Sequence, residues 1–369
     1  MRRSLASAAL VVATMLAAAC SRGTGHGPPT AAHGPLRTAW RWAAPPPSYA
    51  GIPGADGQGV AVTFGHSHVA LLDAVGKVRW TVDRARVRDV APRLTADSVL
   101  VATEEGVVAL DRASGALRWM AVIGERANAP VVAAGKVVVT TWQGSLMGLD
   151  VASGKQAWRL PLGGDALGPA AGDDEAVIAT WEAEQGGSAG AVAVDPATGR
   201  QRWSAPLAPG GVSAPVLSAS PRGGRLVVVA AGDIAAHALT ADSGAEQWRA
   251  PLEGAGAPEV VPLDAGGGAV LVGHRLGGMA LLDLADGRAR WTASSDGATV
   301  RGGPAGPGRQ GQFALPLDDG RVLLGGPGRP ARVLDPPGRV SGVAVSPRGE
   351  LVVATREAAE NGLSAFSGW

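Results

Sequence analysis

Leu110-Asp111-Arg112-Ala113-Ser114-Gly115-Ala116-Leu117-Arg118-Trp119 and Leu149-Asp150-Val151-Ala152-Ser153-Gly154-Lys155-Gln156-Ala157-Trp158 are two copies of one unit. Each runs from a short apolar segment through an Asp-to-Gly turn to a tryptophan. That tryptophan recurs at Trp42, Trp80, Trp119, Trp158, Trp203, Trp248 and Trp291, in nearly even steps. A fixed period of about 40 residues marks one supersecondary unit copied along the chain. Between Trp119 and Trp158, four short runs at 120–122, 129–133, 137–141 and 145–149 are separated by tight turns. Their β-branched content predicts an antiparallel four-stranded meander. In the last turn Asp accepts backbone hydrogen bonds and Gly supplies a positive φ. Asp111, Asp150, Asp195 and Asp283 share this position and read as structural.

A sheet this small leaves both faces uncovered, and arranging copies radially buries each face against the next. The tryptophan opening the outer strand reads as the wedge between neighbours, with one N–H to satisfy. The apolar segment before the turn recurs at 69–73, 108–111, 147–150, 192–195, 237–240, 279–283, 331–335 and 363–366. Eight copies predict an all-β, eight-bladed propeller of four-stranded antiparallel blades, with seven blades as the alternative. The copy at 363–366 has no outer strand after it, whereas Thr38-Ala39-Trp40-Arg41-Trp42 has no repeat before it. These ends are expected to complete one mixed blade and close the ring without an exposed edge. The seventh and eighth copies are the loosest, and no tryptophan stands near position 343.

The amino terminus reads as a targeting segment. Arg2 and Arg3 precede an apolar run from Leu5 to Ala19 that is short for a permanent span. It ends in Leu16-Ala17-Ala18-Ala19-Cys20, which resembles the lipobox of bacterial lipoproteins. That resemblance implies a signal peptide over residues 1–19 and acylation of Cys20, the new amino terminus. One acyl chain holds weakly and two or more hold stably. Residues 20–36, rich in Gly, Pro, Ala and Thr, read as a flexible tether, and residues 37–369 as the propeller.

Cys20 is the only cysteine, so the propeller is expected to depend on burial without disulfides. Lys plus Arg number 33 against 32 Asp plus Glu, for a formal net charge of +1. The basic residues are scattered, which argues against a nucleic-acid footprint. No second apolar run reaches transmembrane length.

The Ala-Leu-Asp segment, the Ser/Thr-Gly turn and the following Trp together resemble the pyrroloquinoline-quinone (PQQ) type propeller repeat, across essentially residues 38–369. Two branches of that family imply different functions. Quinoprotein dehydrogenases hold PQQ and calcium in the central funnel, and often carry a vicinal cysteine pair that this chain lacks. Non-enzymatic members include bacterial sensor domains and the BamB-type outer-membrane assembly lipoproteins, which resemble this chain in lipobox, length and eight blades.

The residues offer little chemistry. Asp173-Asp174, Asp264 and Asp318-Asp319 read as hairpin tips, and His237 and His274 are isolated. His66 and His68 stand at i, i+2, where a strand would point both to one face, as metal ligands or as a plain surface pair. Trp142 and Trp181 fall outside the wedge series, and each follows the third run of its repeat. They read as loop-end aromatics able to anchor a partner, or as packing. Glu182-Ala183-Glu184-Gln185-Gly186-Gly187-Ser188 lengthens the same hairpin as Trp181, making Glu182 and Glu184 further candidates. The resulting expectation is a monomeric, extracytoplasmic propeller held to a membrane through Cys20. It would bind an envelope protein and use no catalytic residue, metal or cofactor. The alternative is a quinoprotein-like dehydrogenase or ligand sensor using the funnel.

Overall fold

The computed structural model describes residues 36–84, 86–166, 168–232, 234–252, 263–266, 268–273, 278–294, 298, 312–326, 331–346, 348–356 and 361–369. Cys20, the tether up to residue 35 and His274 lie outside them, whereas Leu36 packs against the core between the seventh and eighth blades. Eight antiparallel sheets follow one another along the chain and form an eight-bladed propeller. The third blade is representative, with strands Val131–Ala133, Lys136–Thr140, Ser145–Asp150 and Gln156–Pro161 ordered from the axis outward. Middle strands such as Gly59–Phe64 and Ala189–Val194 are wholly buried, because both their faces meet a neighbouring blade. Outer strands bury only alternate residues, the tryptophan among them. The ring closes through Arg37–Ala43, which pairs antiparallel with Gly362–Ser367 as the outer strand of the eighth blade.

Each gap between blades is a separate apolar core. Trp119 and Ala121 of the second blade pack with Val137, Val139, Met147 and Leu149 of the third. The indole does more than fill space. Trp119 Nε1 donates to the Val151 carbonyl at 2.9 Å, one residue beyond the turn aspartate of the next blade. Trp80 donates in the same way to Arg112, Trp158 to Pro196, Trp203 to Ala241 and Trp248 to Leu284, at 2.7–2.9 Å. A β-bulge precedes each of these tryptophans: Trp119 faces Ala109 but Leu117 faces Leu110, leaving Arg118 unmatched. The extra residue twists the outer strand, and the indole lies over the turn of the blade that follows. There Gly154 has φ +70°, and a Cβ on it would sit 2.5 Å from the Trp119 ring. The turn glycine is therefore both a backbone requirement and a seat for the ring.

These relations correct the expectation for the amino-terminal strand. Trp40, not Trp42, follows the bulge, facing Ala365 where Thr38 faces Phe366. A Cβ on Gly76 would fall 2.4 Å from the Trp40 ring, the same seating as Gly154 gives Trp119. Trp40 Nε1 donates to Glu350 Oε2 at 3.1 Å. Trp42 instead packs edge-on against Phe64, with centroids 5.4 Å apart.

The seventh blade also departs from the reading of its sequence, in which residues 331–335 supply the segment that leads into the Asp turn. The structure has Phe313–Pro316 and Val322–Gly325 in the buried middle positions, with Leu315 and Leu323 toward the sixth blade and Leu324 toward the eighth. Arg332–Leu334 pairs with Val322–Gly325 and is the outer strand, so no further strand or tryptophan is needed after Asp335. Three strands of this blade lie among the described residues. Trp369 is buried between the seventh and eighth blades, its Nε1 donating to the Gly349 carbonyl at 2.8 Å. An indole thus reaches this gap from the far end of the chain.

In the turns, Asp111 Oδ1 accepts the Ser114 hydroxyl at 2.7 Å and its N–H at 2.9 Å, and Asp150 and Asp195 do the same with Ser153 and Thr198. The hydroxyl hydrogen bond comes first in holding these carboxyls below the usual range, followed by backbone N–H groups at Asp111 and Asp150 and by the Arg202 guanidinium at Asp195. A carboxyl lowered in the native state stabilises the fold above its unfolded pKa of about 4, and that contribution is lost as pH falls through the lower native value. Replacing Asp111, Asp150 and Asp195 together by Asn is therefore expected to flatten the loss of stability below about pH 4, as read by acid unfolding.

Gly135 provides a control for the seat glycines, since it shares φ +70° with Gly154 but has nothing within 4 Å of an added Cβ. Alanine at either position carries a strain of about 1 kcal/mol. Only Gly154→Ala must also displace Trp119, so its urea midpoint is expected to fall well below that of Gly135→Ala. Equal midpoints would show that the ring does not depend on the seat.

Candidate functional site

One rim of the propeller carries the turns between the two middle strands of each blade and the crossings from each outer strand to the next blade. Trp142 lies here, in the turn Thr141 to Gly144, where Gly144 N–H donates to the Thr141 carbonyl. It is 40 % exposed, against full or near-full burial for the wedge indoles of Trp80, Trp119 and Trp158. The Arg88 guanidinium lies 4.7 Å from its ring centroid and that of Arg126 lies 5.7 Å away. Both cations are themselves fixed. Glu104 pairs with Arg126 at 2.7 Å and with Arg88 at 3.8 Å, and Arg88 also donates to the Ala127 carbonyl at 2.7 Å. Burial holds the Arg88 pKa below its usual value.

The indole N–H of Trp142 donates to Asn128 Oδ1 at 2.9 Å. Asn128 is buried, and its amide donates to Thr140 Oγ1, to the Ala166 carbonyl and to that of Gly168 at 2.8–3.1 Å. This ties the Trp142 turn to the fourth blade. An exposed aromatic that is already oriented loses little rotamer freedom on meeting a partner, the property expected of an interface anchor. Cation–π contact of this kind adds about 0.5–1 kcal/mol at exposed sites.

The other candidates have different settings. Trp181 is half-buried with its ring against Gly163 and Gly190, where added Cβ atoms would come within 2.5 and 2.9 Å of it. Glu182 accepts the backbone N–H groups of Gly210 and Gly211 at 2.7–3.2 Å, clasping the crossing into the fifth blade. Glu184 is exposed and opens the 3-10 turn Glu184–Gly186. Trp142 and Glu184 are therefore the two that face solvent on this hairpin pair, whereas Trp181 and Glu182 are engaged within the fold.

His66 and His68 do not share a strand face. His66 sits in a turn at φ +60° and His68 begins the next strand. His66 Nε2 lies 2.5 Å from the Tyr49 hydroxyl, and His68 stacks on Phe64 with centroids 4.9 Å apart. No group of three or more His, Cys, Asp or Glu side chains converges among the described residues. Asp173 and Asp319 occupy hairpin turns, and Asp264 lies within the strand Leu263–Gly266.

Along the axis, residues on and beside the inner strands of the first four blades line a half-open pocket of about 370 Å3, among them Ala55, Pro92, Arg93, Pro130 and Val131. Asp56, also on its wall, is taken up by Arg112 at 2.6 and 2.7 Å. Sequence reasoning passes over Arg88, Glu104, Arg126 and Asn128, which build the Trp142 setting. None belongs to the periodic motif, and they come from two blades. The signal available is Trp142 itself, standing where other blades carry Glu104 or Asp318.

The model of the family described as outer membrane protein assembly factor BamB matches residues 65–214 and 187–336. Among curated proteins, none matches the chain significantly in sequence. Solved structures share the fold at low identity. BamB from Moraxella catarrhalis is 16 % identical with a TM-score of 0.66, over 90 % of this chain and 98 % of that one. The C-terminal WD40 domain of Sif2 is 12 % identical with a TM-score of 0.69, over 90 % and 99 %. Quinohemoprotein alcohol dehydrogenase from Comamonas testosteroni is 14 % identical with a TM-score of 0.63, over 90 % and 76 %.

Removing the Asn128 side chain strands buried carbonyls and frees the indole. Asn128→Ala is expected to destabilise the fold by about 1–3 kcal/mol in urea unfolding, as for other buried polar groups left unpaired.

Proposed function

Because this chain belongs to the outer membrane protein assembly factor BamB family, we propose that it is a non-catalytic scaffold that binds another protein of the cell envelope. The family match over most of the propeller is the observation that carries this reading. A propeller fold alone hosts many functions and would not do so. Trp142 supports it locally, as a fixed and half-exposed anchor on one rim. On the corresponding hairpin of the fourth blade, the exposed Glu184 lies on the same rim.

Acylation of Cys20 would tether the propeller to a membrane, and residues 20–36 would give it reach. The same family membership supports an outer-membrane-associated, extracytoplasmic position. The funnel keeps a second reading open, a quinoprotein-like enzyme or small-ligand sensor, favoured by the axial cavity and by the shared fold with the alcohol dehydrogenase.

Crosslinking in intact cells separates the two. The native chain is expected to capture a reproducible envelope protein, and the Trp142→Ala variant to capture less while remaining folded. Cys20→Ser is expected to lose both membrane association and that partner. An empty capture, together with dye-reducing activity on addition of PQQ and calcium, would replace the scaffold by the enzyme.

A further inference from the structure

Each outer strand is paired on one side only, so its far edge presents backbone N–H and C=O groups to solvent. Natural sheets guard such edges with charge or proline. The outer strands that carry a wedge tryptophan place a charge, a proline or a hydroxyl at one or both of two positions, one and three residues beyond the indole. These hold Thr81 and Asp83, Arg159 and Pro161, Ser204 and Pro206, Arg249 and Pro251, and Thr292 and Ser294, while Arg41 follows Trp40. Leu117–Val122 is the exception among them. Its two positions are Met120 and Val122, 61 % and 63 % exposed, and Leu117 at its start is 52 % exposed.

Edge and side chains select the same kind of occupant. Unpaired strand backbone is satisfied along its length only by another extended backbone, and Met120 and Val122 at i, i+2 project to one side of it. The surrounding charges are already matched. Arg118 pairs with Asp97 at 2.7 Å and Arg86 with Glu105 at 2.9 Å, so an uncharged segment laid on this edge leaves neither of these cations without its counter-charge. We infer that the Leu117–Val122 edge is a β-augmentation site, taking an extended peptide segment of a partner with apolar side chains at alternate positions. The inference deepens the scaffold reading and rests on it for the identity of the segment, since outer-membrane strands alternate in this way.

The edge can be closed with the sequence of its own relatives within the ring. Val122 faces Gly106 in the register in which Pro161 faces Ser145, so Met120→Arg/Val122→Pro reproduces a substitution pattern the third blade already accommodates. The probe is a fluorescent peptide of alternating valine and threonine with terminal lysines, long enough to run the length of the edge, titrated into the full chain in detergent. A second peptide carries N-methyl groups on one edge and cannot pair along it.

Saturable binding that weakens at least tenfold both in the double variant and with the N-methylated peptide supports the site. Equal affinity in either comparison, or no binding, overturns it. So does sedimentation showing a dimer that the double variant splits, because a second copy would then cover the edge. If the variant fails to fold, the two peptides on the native chain still decide. Failed peptide binding with cellular capture intact removes this inference alone. Specific peptide binding without any envelope partner removes the scaffold reading and leaves the edge as a site for extended chains.

Discussion

The propeller depends on a hydrogen bond from an indole N–H to the carbonyl one residue past the position that opens the next blade's turn, Thr240 in one blade and an aspartate in the others. It repeats from Trp80, Trp119, Trp158, Trp203 and Trp248 at 2.7–2.9 Å. Burying an indole with its N–H unpaired would offset much of the apolar gain. Making this bond requires the ring to lie flat over the turn, which excludes a Cβ at the turn glycine and demands a bulge before the tryptophan. Motif, turn and bulge are one constraint expressed three times. It acts between neighbours, so a ring of eight needs no long-range instruction beyond its closure.

This constraint explains what can be read from the sequence. The even spacing of the tryptophans exposes the repeat, and four short runs between them give the meander. The reading goes astray where two residues satisfy the pattern equally. Trp40 and Trp42 are two apart, point to one side of a strand, and differ only in which follows the bulge between Thr38 and Trp40. Residues 331–335 imitate the segment before the Asp turn, yet Val322–Gly325 fills that place because its alternate residues match the cores on both sides. The part of Trp369 is hidden by distance along the chain, since it fills a gap that belongs to another blade's outer strand.

The rim is less legible for a different reason. A loop-end tryptophan outside the periodic series draws notice from composition alone. What makes Trp142 rigid is a set of polar residues from successive blades, Glu104, Arg126 and Asn128, each unremarkable in sequence. Glu182, equally prominent in the same reading, spends its carboxylate on the Gly210 and Gly211 amides. Exposure separates such pairs, and exposure is a property of the assembled ring.

Closure by Arg37–Ala43 also sets a timetable. That strand is among the first of the propeller to be made, yet its partner Gly362–Ser367 is made last. Whether the chain is being made or threaded across a membrane, the early strand waits until the last blade arrives. Each completed blade has a finished neighbour on one side only until then, and the first and last lie open together. The ring is therefore a product of the whole chain, and any chaperoning it receives must outlast the arrival of its final hairpin.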